Sequence, residues 1–344
     1  MKVKIIGAGS IGNHMAHASR SLGHKVVMCD TDEQALLRTK KNIYPLRYGK
    51  WDDKIELFKF GQEPKNCFDI IIIGTPPHTH IDLALIFAKE KPKAILVEKP
   101  LCEPYNKKIN KLQSLLNKYK IKCFVGYNHC LSKSVNKFLE IAKKNKIGEP
   151  LTLDVEFREH WKGIFKAHPW LQGPEDTYLG FSKKGGGATG EHSHAINLWV
   201  YISEQLGFGK IEKINSLVSY KEIRNKYLYD ELCLVNLKTS KNYIGRVVQD
   251  VITYPTKKSI KLIGLDGVME LIFSFKGNDD IIIITKKNKK KILNFKKNRP
   301  DDFKIELRHI EKILKTRNKN NIISLENGIK TMKIIENIYK DKLG

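Results

Sequence analysis

Cysteine is sparse, with six residues in 344 and no two spaced as CxxC. Cys29, Cys67, Cys102, Cys123, Cys130 and Cys233 are scattered, several inside apolar runs where a free thiol acts as a small hydrophobe. That argues against a disulfide framework or a zinc ribbon and for a reducing compartment. Long hydrophobic runs are missing too: "IIIIG" at 70–74 is far short of the roughly 20 residues a membrane helix needs. "MKVKIIGAGS" goes straight into structure and lacks the pattern of a secretory leader. Acidic residues are in the minority, 37 against 62 Lys and Arg, for a formal charge of +25. Such an excess ordinarily points to nucleic acid. Here the lysines are spread along the whole chain, and the densest cluster, "KKNKKK" at 286–291, reads as a strand-to-strand turn. No helix-turn-helix, zinc-finger or RNA-binding motif accompanies them. The expectation is a cytoplasmic globular protein with no membrane or specific nucleic-acid partner. Its length allows two domains.

The first part of the chain alternates strands with helical patterns. Strands are read at 2–7, 24–30, 68–75, 94–99 and 123–127, and helices at 10–22, 79–90 and 104–118. The continuous apolar run "FDIIIIGT" (68–75) reads as a strand buried on both faces. This alternation implies right-handed crossovers and a doubly wound parallel sheet, placed at 1–127. After a helix near 131–146 come "PLTLDVEF" (150–157), a long aromatic-rich loop (158–184), and a series of short β-rich runs separated by turn signals. Helices near 302–317 and 324–341 close the chain. The remainder, 128–344, is read as an α+β domain with a large, mostly antiparallel open sheet.

"GAGSIG" (7–12) follows a strand, opens a helix, and is followed by Asp30 at the end of the second strand. In that context it is a dinucleotide fingerprint. Gly7 permits the tight turn, Gly9 a close approach to a pyrophosphate, and Gly12 close packing of helix on strand. Ser10 and Ile11 lie where the helix N-terminus offers free N–H donors to the phosphates. Asp30 would accept from the ribose hydroxyls and repel a 2′-phosphate, favouring NAD over NADP. Ligands of open α/β sheets bind beyond the carboxyl ends of the strands. "TPPHTH" (75–80), "EKP" (98–100) and "GYNH" (126–129) lie there, so Thr75, Pro76, His80, Glu98, Lys99 and Asn128 are further cofactor candidates. Lys99 ends an apolar strand, where partial burial would lower its pKa toward a useful range.

A third stretch, "GGGATGEHSHAINLW" (185–199), puts Glu191, His192 and His194 directly behind three glycines. They could bind a metal, do acid–base chemistry, or cap a helix. The H-x-H spacing suits a metal on a strand better than on a helix, so no metal is expected. On a helix, Glu191 and His194 share one face.

"GAGSIG", "TPPHTHIDLA", "VEKPL", "GYNH", "IGEP", "GGGATGEHSH" and "ISLENGIKTMKIIENIY" fall in the order and spacing of a known family. The chain resembles the glucose–fructose oxidoreductase, inositol 2-dehydrogenase and MocA group of NAD(P)-dependent enzymes, which act on sugars and cyclitols. The resemblance implies a Rossmann domain followed by an α/β domain whose open sheet forms a homodimer or homotetramer interface. It also implies Lys99 as catalytic lysine, and Glu191 and His194 as the acid and histidine. Three departures stand out: Glu191 replaces the usual Asp, and Asn197 and Cys130 occupy positions that often hold Asp and Arg. Some members also leave room for His192 to take the role of His194. The reaction expected is hydride transfer between nicotinamide and a secondary alcohol or ketone of a sugar, sugar derivative or cyclitol. The alternatives are an NAD-retaining lyase or glycosidase and a non-catalytic dinucleotide-binding regulator. Tyr127 and the loop leading to the glycines would line the substrate pocket. Trp161, Trp170 and Tyr178 offer flat rings for a sugar, and Arg158, His160, Lys162, Lys166 and His168 offer charge for an anionic or nucleotide-linked one.

Overall fold

A computed structural model describes residues 1–166, 170–223, 227–275, 277, 279–298, 300–316 and 321–342. The chain divides into two compact units. The first holds residues 1–102, 106–128 and 300–325, and the second holds 103–105, 129–299 and 326–344. The stretch 300–325, expected in the second domain, thus belongs with the Rossmann strands.

In the first unit, β1 (Lys2–Ile6), β2 (Lys25–Asp30), β3 (Ile55–Lys59), β4 (Ile70–Ile73), β5 (Ala94–Val97) and β6 (Lys122–Val125) form one parallel sheet in the order β3-β2-β1-β4-β5-β6. The chain reverses direction across the sheet between β1 and β4, which opens a crevice at their carboxyl ends. All four isoleucines of β4 are buried, as a strand covered on both faces requires. The covering helices include α1 (Ser10–Ser21), α4 (Pro77–Ala88) and α5 (Ile109–Tyr119). Residues 31–67 contain what the alternating pattern did not announce: α2 (Glu33–Arg38), α3 (Tyr44–Tyr48) and the edge strand β3. One strand position breaks the apolar rule. Lys4 is fully buried, and its ammonium is paired with Glu90 at 2.8 Å and lies 3.8 Å from Glu63. The two carboxylates offset the cost of burying a charge.

The second unit is built on an eight-stranded sheet. Its strands are β7 (Pro150–Arg158), β8 (Ile211–Ile223), β9 (Tyr227–Thr239), β10 (Ile244–Asp250), β11 (Lys257–Gly264), β12 (Gly267–Phe275), β13 (Asp279–Lys286) and β14 (Lys289–Phe295). The order is β14-β13-β12-β11-β7-β10-β9-β8, antiparallel except for the β7–β10 pair. On its inner face Val155, Cys233, Val247, Leu262 and Met269 are buried, and α6 (Lys133–Lys143), α8 (Gly187–Glu191) and α9 (Ser193–Gln205) pack against its strands. Trp199 of α9 donates its ring N–H to the Leu153 carbonyl at 2.9 Å. The opposite face carries Leu217, Ile244 and Ile292, 72%, 57% and 50% exposed, beside the Arg246–Asp154 ion pair. The C-terminal helices are α10 (Asp301–Lys315), in the first unit, and α11 (Leu325–Tyr339), nearly all in the second. α10 lies on α1, with the Phe303 ring stacked on His14 at 4.9 Å and Glu311 hydrogen-bonded to His24 at 2.6 Å.

Candidate active site

The three glycines of the first loop are there for different reasons. Gly7 has φ +104°, and a Cβ on it would lie 2.8 Å from the Gly74 carbonyl oxygen. A Cβ on Gly12 would lie 2.0 Å from the Gly7 carbonyl oxygen. A Cβ on Gly9 would meet nothing within 4 Å. The protein itself therefore demands the first and third, while the second leaves an open cradle at the start of α1, as a bound pyrophosphate needs. Asp30 accepts from the Ala8 N–H at 2.7 Å and the Asp32 N–H at 2.9 Å, which fixes its carboxylate beside the loop with lone pairs to spare. One contributor carried no motif signal. Arg47 of α3 (Tyr44–Tyr48) reaches the loop, donating to the Ser10 carbonyl at 2.9 Å and the Ser10 hydroxyl at 2.8 Å.

At the carboxyl ends of β4 to β6, Thr75 and Thr79 share a hydroxyl hydrogen bond of 2.7 Å, and Pro76 is the N-cap of α4. His80 does not face the crevice as a free ligand. It is fully buried, with Nε2 2.7 Å from the Thr75 carbonyl and Nδ1 3.1 and 3.3 Å from those of Pro100 and Leu101. Burial, the leading cause, lowers its pKa to about 4, so the ring is neutral and its single N–H donates to a carbonyl on one side only, in the loop after β4 or the loop after β5. The fully buried ring faces backbone carbonyls on both sides, so His80, a cofactor candidate in the sequence, is enclosed by its own two loops. Glu98 is buried, accepts the Lys99 N–H at 3.3 Å, and lies flat on Gly126, whose Cβ would come within 2.9 Å of its carboxylate. Lys99 is half-buried. Tyr127 is buried and Asn128 half-buried, with the Asn128 side chain against Glu306 of α10. Glu306 is completely buried, and burial together with the nearby Glu98 charge pushes its carboxyl well above the usual range.

In the second unit the glycine stretch is not one helix. α8 ends at Glu191, His192 takes φ −97° and ψ 23°, and α9 starts at Ser193. The shared helix face expected for Glu191 and His194 therefore does not hold. Five residues containing two glycines cannot sustain a helix by propensity, and the His192 carbonyl is drawn to Gln249 of β10 at 2.6 Å. His192 is 2% exposed, whereas Glu191 and His194 are half-buried. The His194 ring lies 4.3 Å from that of His129, which also packs edge-on against Phe157 and Phe273. His129 belongs to "GYNH" but was not singled out from the sequence.

Most of the presumed substrate loop is folded onto the sheet. Trp161, 8% exposed at the start of α7 (Trp161–Lys166), donates to the Tyr229 hydroxyl at 3.3 Å in a small core with Ile164, Leu179, Ala188 and Val251, and Tyr178 packs against it. Arg158 is bound to the buried Asp250 at 2.8 Å, and its guanidinium also lies 3.7 Å from Glu156. Trp161, Tyr178 and Arg158 are thus placed as packing and strand-end residues rather than as an open lining. The His160 ring accepts the Lys162 N–H at 3.0 Å. Trp170 is half-buried, Lys162 and Lys166 are exposed, and His168 lies outside the described residues. Among the described residues, no group of three His, Cys, Asp or Glu side chains is gathered as a metal ion would require.

Residues 1–127 match the Gfo/Idh/MocA family model, described as an oxidoreductase family with an NAD-binding Rossmann fold. No curated protein matches the chain. Solved structures share its fold over nearly the whole length. The WlbA dehydrogenase from Bordetella pertussis, in complex with NADH and UDP-GlcNAcA, is 16% identical with a TM-score of 0.72, covering 98% of this chain and 95% of its own. The UDP-N-acetylglucosamine 3-dehydrogenase GnnA from Acidithiobacillus ferrooxidans is 11% identical with a TM-score of 0.71, covering 98% and 96%. Levoglucosan dehydrogenase in complex with NADH and L-sorbose is 14% identical with a TM-score of 0.77, covering 99% and 96%.

Proposed function

We propose that this chain, whose residues 1–127 match an NAD-binding oxidoreductase family, is an NAD-dependent dehydrogenase or reductase. Its substrate is a secondary alcohol or ketone of a sugar, sugar derivative or cyclitol. The observation that carries the reading is Lys99, half-buried at the carboxyl end of β5 in the same unit as a loop left open at Gly9. An amine so placed suits general acid–base work on a hydroxyl group. Bound nicotinamide supplies the hydride chemistry. In this reading Lys99 and His194 exchange the hydroxyl proton, and Glu191 orients one of them. His194 is preferred to His192 because it is half-buried rather than enclosed. NAD is preferred to NADP because the Asp30 carboxylate, pinned beside the loop, repels a 2′-phosphate. Arg47, held on Ser10, adds a positive charge for the pyrophosphate.

An anionic or nucleotide-linked sugar is favoured over a neutral one, with the exposed Lys162 and Lys166 in place of Arg158 as the charges that meet it. Two of the similar structures are of proteins whose names or complexes specify UDP-linked sugars. The test is a screen of free, phosphorylated and nucleotide-linked sugars for net NADH formation. Turnover on a nucleotide-linked or acidic sugar is expected. Turnover on neutral sugars alone would overturn the substrate class, and product formation without net NADH would overturn the dehydrogenase reading in favour of an NAD-retaining lyase or glycosidase.

A further inference from the structure

A helix needs its first N–H groups satisfied, and the residue that usually does this is a Ser, Thr, Asp or Asn at the N-cap. The N-cap of α8 is Gly186, with no side chain to offer. Nor could it have one: a Cβ at Gly186 would lie 2.2 Å from the Tyr178 carbonyl oxygen. The cap comes instead from the sheet. Asp230 of β9 is fully buried, and its carboxylate accepts from the Thr189 N–H at 2.7 Å and the Thr189 hydroxyl at 2.6 Å. Thr189 is the third residue of α8, where a local cap would act. The other carboxylate oxygen accepts from the hydroxyls of Ser182 at 3.0 Å and Tyr339 at 2.5 Å. Gly187, at φ +76°, leaves room for this oxygen, since a Cβ there would lie 1.9 Å from it. From the neighbouring strand, buried Gln249 donates to the His192 carbonyl at 2.6 Å. Two buried polar side chains of neighbouring strands thus grip the backbone on either side of Glu191.

We propose that Asp230 is a positioning residue: it acts as the remote N-cap of α8 and, with Gln249 as counter-clamp, fixes where Glu191 and His194 point. The proposal rests on the catalytic reading of those two residues. The strand ladder does not use the Asp230 carboxylate, and burying a charge is costly unless it is fully hydrogen-bonded. Its four donors come from the glycine stretch, the loop before it and α11, so its effect falls on that stretch. A Glu191–His194 segment set in advance lowers the cost of reaching the reactive geometry, which raises turnover more than it tightens binding.

The experiment compares Asp230→Asn, Gln249→Met and His194→Ala with the parent for turnover, for NAD affinity, and for amide hydrogen exchange read by mass spectrometry. The amide of Asp230→Asn keeps the shape but loses one acceptor. Expected are a fall in kcat of about tenfold or more with KM and NAD affinity within about twofold, and faster exchange confined to residues 187–195. Gln249→Met should repeat the pattern more weakly, and it serves if Asp230→Asn does not fold. Parent-like kcat and exchange in both clamp variants, with His194→Ala inactive, would overturn the proposal. So would exchange that accelerates throughout β8 to β10, which marks a general loss of stability. A fully active His194→Ala removes the catalytic reading instead, whatever the exchange shows at 187–195.

Discussion

Lys99 and His194 are each expected to matter through a proton. Substituting either by alanine should lower turnover by roughly a hundredfold, the usual size of one general acid–base contribution, with NAD affinity little changed. Steady-state rates and cofactor titration check this, and a variant near parental turnover removes that residue from the mechanism. Arg47→Ala should act the other way. It removes a guanidinium bonded to Ser10 of the cofactor loop, so NAD should bind roughly tenfold more weakly while turnover at saturating NAD holds. Unchanged NAD affinity by titration calorimetry would leave Arg47 a loop brace only. Two departures from the resembled family also meet in the structure: the Cys130 thiol bonds to the Asn197 side-chain oxygen at 3.0 Å, and Asn197 in turn donates to Thr331 at 3.0 Å. Neutral groups thus contact each other where that family often has Arg and Asp. Burial raises the Cys130 pKa, which keeps its thiol protonated.

Among the elements, α10 carries the least expected group. Glu306 keeps its proton in the fold because burial and Glu98 raise its pKa, whereas in the unfolded chain it ionises near the ordinary value of about 4.3. Above that value the folded state holds more protons than the unfolded, so stability is fully present at low pH and declines as pH rises toward the folded pKa. Glu306→Gln removes that slope. Its Tm relative to the parent should be more favourable at about pH 8 than at about pH 5, and an equal difference at both would contradict a buried neutral carboxyl. The parallel strands and their glycine loop were legible because their signals are local: β4 is four consecutive isoleucines, and "GAGSIG" sits between a strand and a helix. Residues 31–67 were not, since α2 and α3 are only six and five residues long and lack a sustained apolar period. The break at His192 was hidden for another reason: Gln249, which holds the His192 carbonyl, lies far along the sequence. The substrate loop misled because an aromatic that packs and one that binds a sugar look alike in sequence. Trp161 is of the first kind.

For the whole molecule, the exposed face of the eight-stranded sheet is the feature to account for. Leu217, Ile244 and Ile292 lie on one side of it, on β8, β10 and β14, and a subunit contact through this sheet is what the family resemblance implies. We expect a homodimer or homotetramer through this face. A Leu217→Asp and Ile244→Asp double variant should reduce the mass seen by light scattering while NAD binding is kept; a monomeric parent would refute the expectation. The return of the chain to its first unit has a different consequence, one of timing. A ribosome has delivered all six parallel strands by residue 125, but the helix that lays Phe303 on His14 and Glu306 beside Glu98 begins only at residue 301. Until then the nascent dinucleotide-binding half must wait with one flank bare, and its exposed apolar surface is what chaperones recognise. The half made first is thus completed almost last, and a chain cut short after the final parallel strand would carry the cofactor loop without the helix that closes the body behind it.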